Sequence, residues 1–159
     1  MKSINTILIS IAFITTLIHC GGKNKLDPGS INTLKSILEM NQSIHTVLFS
    51  DDKALPSVNG LLKTIGNSKN EVQNSEVKKS LEAMETSLKK IGDSPKREDY
   101  FKEFSAFSEE LAVTMKKFQI DSSYNRFFCP MVSKTWVSKG TQIKNPYASD
   151  MRDCGEIVK

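Results

Sequence analysis

Apolar residues recur at intervals of three and four along residues 31–118, the spacing that places side chains on one face of an α-helix. Polar and glycine-containing stretches at 50–52, 66–67 and 92–95 divide this part of the chain into four segments. We predict an all-α fold, an antiparallel bundle of about four helices. The main apolar positions are Ile31, Leu34, Leu38, Ile44, Leu48, Leu55, Val58, Leu61, Leu62, Ile65, Val77, Leu81, Met84, Leu88, Ile91, Phe101, Phe104, Phe107, Leu111, Met115 and Phe118.

Short polar residues and prolines predict where these helices begin and end. Asp27-Pro28 or Ser30 can cap the first helix, because a short polar side chain accepts from free amides of the opening turn. Gly66-Asn67 is expected to end the second helix, and Ser68–Glu71 has the spacing of a capping box for the third. Pro95 suits the first position of the fourth helix.

The helical pattern stops after Phe118, and the last part of the chain has a different composition. It holds the only tryptophan and two of the three cysteines. Two clusters pair a cysteine with a methionine: Cys129-Pro130-Met131, and Met151 followed by Cys154-Gly155. We expect an irregular Cys/Met-rich tail packed on the bundle, so that residues 30–159 form one helical domain.

The first twenty residues are typical of a targeting signal. A lysine near the start precedes an apolar run over 4–18. This run is shorter than a membrane-spanning helix, which needs about 20 apolar residues. Leu17 lies three residues before Cys20, and glycines follow, as in a bacterial lipoprotein box. We therefore predict a lipoprotein-type signal peptide over 1–20, with lipidation at Cys20, and a polar tether over 21–29. Ordinary signal cleavage and a retained N-terminal anchor are the alternatives.

Charge and motif content narrow the function further. The formal net charge of +4 is slight and scattered, whereas nucleic-acid binding proteins usually carry a clustered basic stripe, so no nucleic-acid partner is expected. The chain has no GxSxG, phosphate-binding loop or HExxH motif, so we predict that it is not an enzyme. The targeting signal places it in the bacterial cell envelope, on the periplasmic side and anchored to the membrane.

Two roles are open for Cys129 and Cys154 on their chemistry alone. Thiolates and thioethers are soft donors that favour Cu(I), although two cysteines and two methionines are a weak metal signal by themselves. In an exported protein the same pair can form a disulfide across 25 positions, typically stabilising the fold by about 3 kcal/mol.

The tail also resembles a known small domain of unknown function. The order CPM at 129–131, Trp136-Val137-Ser138, Ile143 to Tyr147 as IxNPY, and MxxCG at 151–155 carries the resemblance. That domain occurs alone in exported bacterial proteins and at the C-terminus of copper/silver-efflux (Cus-type) periplasmic adaptor proteins. The similarity covers about residues 34–158, although Phe128 stands where many relatives have His or Tyr.

The resemblance implies a soft-metal site for copper(I) or silver(I), with an efflux adaptor protein as a partner. Its implied ligands are Cys129, Met131, Met151 and Cys154. His45 is a further candidate if the first helix faces the tail, although a lone helical histidine is more often a surface or core residue. Trp136 is expected to cover the tail against the bundle. Turn formation is the expected role of Pro130, Asn145, Pro146 and Tyr147.

Overall fold

A computed structural model describes residues 26–92 and 95–158. The described chain has four helices and three strands. In chain order they are α1 Pro28–Ser50, α2 Asn59–Glu71, α3 Ser75–Lys89, α4 Arg97–Phe118, β1 Tyr124–Cys129, β2 Lys134–Lys139 and β3 Glu156–Ile157. The predicted signal peptide, the lipidation at Cys20 and most of the predicted tether lie outside the described residues.

The first helix begins where its polar residues predict. Asp27 is the N-cap, and its Oδ1 accepts a hydrogen bond from the Ser30 amide at 2.8 Å. Leu26 is already packed into the core, so the folded domain includes residues before the predicted boundary at position 30. Asp27, one of the two predicted caps, therefore fixes the helix start.

The boundary between the second and third helices differs from the prediction. α2 continues through Gly66-Asn67 to Glu71, and Asn74 caps α3 by accepting from two amides of its first turn. Leu61, Ile65 and Ser68 share one buried face of α2. Burial of this face outweighs the about 1 kcal/mol that a helical glycine costs. Ser68–Glu71 is thus the last turn of α2 and not a capping box.

The bundle core lies along the predicted apolar stripes. The interior positions of α3 and α4 are fully buried, and Tyr100 joins them with its hydroxyl donating to the Pro56 carbonyl at 2.8 Å. Within the described residues, no helix is both long enough and sufficiently apolar to cross a bilayer.

The C-terminal part is not irregular, and the all-α prediction therefore holds only for the bundle. β1 lies at the centre of an antiparallel three-stranded sheet in the order β2-β1-β3. β1 pairs with β2 along its whole length, from Tyr124 opposite Lys139 to Cys129 opposite Lys134. β3 pairs only through Phe127–Ile157 and Phe128–Glu156. The aromatic and β-branched residues of β1 and β2 fit a pleated, half-buried surface.

The outer edge of β2 is closed by side chains of α1. Asn41 donates to the Val137 carbonyl at 2.8 Å, and the Lys139 amide donates to the Gln42 Oε1 at 2.8 Å. An edge strand presents unpaired amides and carbonyls that must find partners when buried. Polar side chains on α1 therefore take the place of a fourth strand.

The opposite end of β2 is closed in the same way. The Thr135 amide donates to the Ser105 hydroxyl of α4 at 2.8 Å, and the Thr135 carbonyl accepts from the Tyr147 hydroxyl at 2.9 Å. These bonds fasten the sheet to the bundle and place the C-terminal segment against it.

Candidate functional site

Cys129 and Cys154 form a disulfide in the structure. Cys129 ends β1 and is fully buried, whereas Cys154 lies just before β3, and their Cα atoms are 5.7 Å apart. The bond joins the central strand to the segment that returns to pair with it. Since cysteine binds soft metals as a thiolate, a disulfide-bonded pair offers no thiolate ligand to a metal ion.

The two methionines predicted as ligands lie in different surroundings. Met131 lies in the turn between β1 and β2 and is 72% exposed, with Pro130 before it in the same turn. Met151 is half-buried, and its carbonyl accepts from the Cys154 amide at 3.0 Å. A local turn therefore fixes the backbone of Met151 beside Cys154, whereas the Met131 side chain extends into solvent.

His45 faces the C-terminal segment, but as a buried structural residue. Its Nε2 lies 2.8 Å from the Lys144 carbonyl, and its ring stacks on Phe49. Because only a protonated nitrogen can donate to a carbonyl, the proton is assigned to Nε2 and Nδ1 carries a lone pair. Nδ1 has no hydrogen-bond partner within the described part of the chain. Burial lowers the pKa of His45 to about 4, so the ring is neutral at pH 7.

Asn145 forms the turn at which the segment begins its return. Its Oδ1 accepts from the Tyr147 amide at 2.9 Å, which is an Asx turn across Pro146. The Asn145 amide donates to the Arg152 carbonyl at 2.8 Å, and the Arg152 guanidinium donates back to the Asn145 carbonyl at 3.1 Å. Three of the four predicted turn residues, Asn145, Pro146 and Tyr147, thus lie in a loop that is closed on itself, whereas Pro130 lies in the turn between β1 and β2.

Arg152 also ties this loop to the end of α1. It forms an ion pair with Asp52, donates to the Leu48 carbonyl at 3.4 Å, and lies over the Phe49 ring. The sequence reasoning did not select Arg152. Its only signal was a position inside the MxxCG stretch, between Met151 and Cys154.

The single tryptophan lies against Gly155, the residue that follows Cys154. Trp136 is fully buried, stacks on Phe127 with ring centroids 5.4 Å apart, and meets the edge of Tyr147. Gly155 follows Cys154 with φ of 150°, and a Cβ there would lie 2.6 Å from Trp136 Cη2. Only glycine therefore allows the segment to approach the indole this closely. Burial also raises the pKa of Tyr147 well above its ordinary value, so its phenol is a hydrogen-bond donor.

The described residues contain no further grouping of metal ligands. Among residues 26–92 and 95–158, no group of three or more His, Cys, Asp or Glu side chains is placed to hold a metal ion. The geometry therefore joins Cys129 and Cys154 by a covalent bond, holds the backbone of Met151 beside Cys154, and uses His45 as a buried structural residue.

Comparison of the chain with family models, with curated proteins and with solved structures finds no match.

Proposed function

We propose that this chain is an exported, lipid-anchored protein of the bacterial envelope that has a structural or partner-binding role and is not an enzyme. The observation that carries the proposal is the Cys129–Cys154 disulfide, which fastens the C-terminal segment to the sheet. Disulfides persist in oxidising compartments such as the periplasm. The N-terminal signal and the box around Cys20 supply the corresponding targeting and anchor.

A second candidate function is soft-metal binding by the reduced protein. Reduction of the disulfide would leave two thiols on neighbouring segments, with Met151 next to Cys154 in the chain fold. Two thiolates and a thioether suit Cu(I) or Ag(I), and an efflux adaptor protein would be the recipient. His45 contributes to such a site only if its bond to the Lys144 carbonyl is given up or Nδ1 is used.

Thiol counting and metal titration separate the two candidates. Protein taken from the envelope with its free thiols blocked at lysis is expected to carry Cys129 and Cys154 as a disulfide. Cu(I) added under competition should then bind no more tightly than to a Cys129→Ser/Cys154→Ser variant. A reduced pair in the envelope, with Cu(I) affinity lost in that variant, would favour the metal role instead.

The anchor is tested by separate variants. Radiolabelled palmitate is expected to enter the wild-type chain and not a Cys20→Ser variant, and only the wild type should remain with the membrane fraction. A Cys154→Ser variant is the matched control, because it removes a cysteine that the anchor does not use. Equal labelling of the wild type and the Cys20→Ser variant would contradict lipidation at this position.

A further inference from the structure

An open apolar groove lies between the C-terminal end of α4 and the free side of the sheet. Its volume is about 900 Å³. Val113 and Ile157, which are 53% and 39% exposed, are two of the few large apolar side chains that the described part of the chain presents to solvent, and both line this groove. Exposed apolar surface that is concentrated in one place marks a binding site more often than scattered surface does. The apolar lining includes Ala112, Val113, Met115, Ile120, Tyr124 and Ile157.

Two of the four charged residues that line the groove, Lys117 and Arg126, form ion pairs, and a third, Asp121, accepts hydrogen bonds from Ser123. Lys117 lies 2.9 Å from Glu76, and Arg126 lies 2.8 Å from Glu109. Their charges are thus largely used within the molecule. The groove therefore suits an apolar ligand more than a charged one.

The groove lies at the end of the bundle where the chain enters. Thr33, near the start of α1, donates to Ser68 in the last turn of α2. α3 starts only a few residues after α2 ends, and its first turn is joined to the end of α4 by Lys117–Glu76. The start of α1 and the end of α4 consequently share one end of the domain.

The proposed anchor holds this end close to a bilayer. Five residues lie between Cys20 and Leu26, the first residue that the structure describes, so the two positions can be at most about 20 Å apart. Resting on the lipid anchor proposed above, we propose that the groove docks on the surface of the same bilayer and takes up a phospholipid acyl chain. Apolar side chains at such an interface typically lie about 5–10 Å into the headgroup and acyl boundary.

A fluorescent probe in the groove tests this docking in the full lipidated chain. A Val113→Cys variant can be labelled with an environment-sensitive nitrobenzoxadiazole, because the native pair is oxidised and Cys20 is blocked by lipid. Val47→Cys is the matched control, since Val47 is also exposed, at 40%, but lies about 30 Å along α1 from its start. Ile157→Cys places the same probe on the other wall of the groove.

In vesicles of phosphatidylcholine with nitroxide groups high on the acyl chains, we expect blue-shifted emission and several-fold stronger quenching at positions 113 and 157 than at 47. High salt should leave the quenching unchanged, because the contact is through apolar side chains and phosphatidylcholine carries no net charge. If the protein floats with the vesicles but the probes at 113 and 157 behave like the one at 47, the docking is contradicted. The anchor then stands, and a protein ligand is favoured for the groove. Protein that does not float with the vesicles would contradict the anchor, and the docking with it.

Discussion

The two edges of the small sheet are finished in opposite ways. The β2 edge is covered by polar side chains of α1 and α4, which donate to or accept from its outward backbone groups. The β3 edge consists of two exposed residues that pair with β1, and one of them, Ile157, lines the groove. The closed edge integrates the sheet into the bundle, whereas the open edge leaves apolar surface available for a ligand.

The means of attachment differ as well. Hydrogen bonds from two helices hold the closed edge, and two of the three, those of Asn41 and Ser105, are buried. The open edge depends on a short ladder, on the disulfide, and on the close approach of Gly155 to Trp136. The contacts therefore indicate that the β2 edge and the β3 edge contribute differently to stability. Substitutions on each edge test this difference.

The largest effect is expected from removing the disulfide on the open side. A Cys129→Ser/Cys154→Ser variant should lose about 3–4 kcal/mol of unfolding free energy, because a loop closed across 25 positions no longer restricts the unfolded chain. Urea unfolding of the oxidised wild type and the variant measures the loss. Wild type treated with reductant should unfold like the variant, and the variant should not respond to reductant. Coincident curves for all three would contradict a stabilising bond.

Adding one methyl group at Gly155 should also loosen the open side. Gly155→Ala combines a backbone of φ 150° that alanine disfavours with a clash against the Trp136 ring, so we expect a loss of about 3 kcal/mol. Gly66→Ala is the control, because its nearest heavy atom would be 3.9 Å away in the middle of α2. That substitution should stabilise the protein by up to about 1 kcal/mol. Similar effects of the two changes would show that the approach to Trp136 is not tight.

Acid should destabilise the fold through His45, which joins α1 to the C-terminal segment. Its pKa is lowered to about 4 by burial, whereas the unfolded chain titrates near the ordinary value of 6.5. Above pH 6.5 both states are neutral and the contribution is complete. Between pH 6.5 and 4 the unfolded state binds the proton first, so stability falls by on the order of 2–3 kcal/mol.

Unfolding measured at pH 7.5 and pH 5 tests this titration. A His45→Gln variant keeps a donor for the Lys144 carbonyl but cannot be protonated, so its loss between the two pH values should be clearly smaller. An identical loss in the wild type and the variant would assign the acid sensitivity to other groups.

The hydrogen bonds of the closed edge should contribute to the unfolding free energy according to how deeply they are buried. Asn41→Ala leaves the buried Val137 carbonyl without its donor, at an expected cost of about 1–2 kcal/mol. Gln42→Ala removes a bond of equal length to the exposed Lys139, and its cost should stay below about 0.5 kcal/mol. Equal losses in the two neighbouring variants would contradict burial as the cause.

Asn41 also shows how far the sequence could predict the fold. Periodic apolar positions predict four helices, and the structure has them, because a helical stripe is a local pattern that burial reinforces. A polar residue on that stripe indicates that something must bond to it, but not which strand supplies the carbonyl. The sheet is not predicted, although the aromatic and β-branched residues of β1 and β2 suit strands; only β3, which pairs two residues, carries almost no pattern of its own.

The candidate site was partly predictable for a similar reason. Spacing and compartment admitted both a disulfide and a metal for Cys129 and Cys154, and only the folded position of the two segments selects between them. The tertiary contact of His45 with Lys144 joins residues 99 positions apart, which no local pattern specifies. The groove depends equally on how α4 packs beside β1, so it was not predicted.

The smallest effect on stability is expected within the groove, and it is best measured against the effect at a buried position of the same helix. Val113→Ser removes an exposed side chain that the fold does not bury, so the unfolding free energy should change by less than about 0.5 kcal/mol. Leu111→Ala, two residues earlier on the buried face of α4, should cost about 2–5 kcal/mol. Urea unfolding of both variants measures the contrast. If Val113→Ser lowers the unfolding free energy nearly as much as Leu111→Ala, the groove belongs to the core. A negligible loss would show that stability does not require an apolar side chain at Val113, which leaves ligand binding as its role.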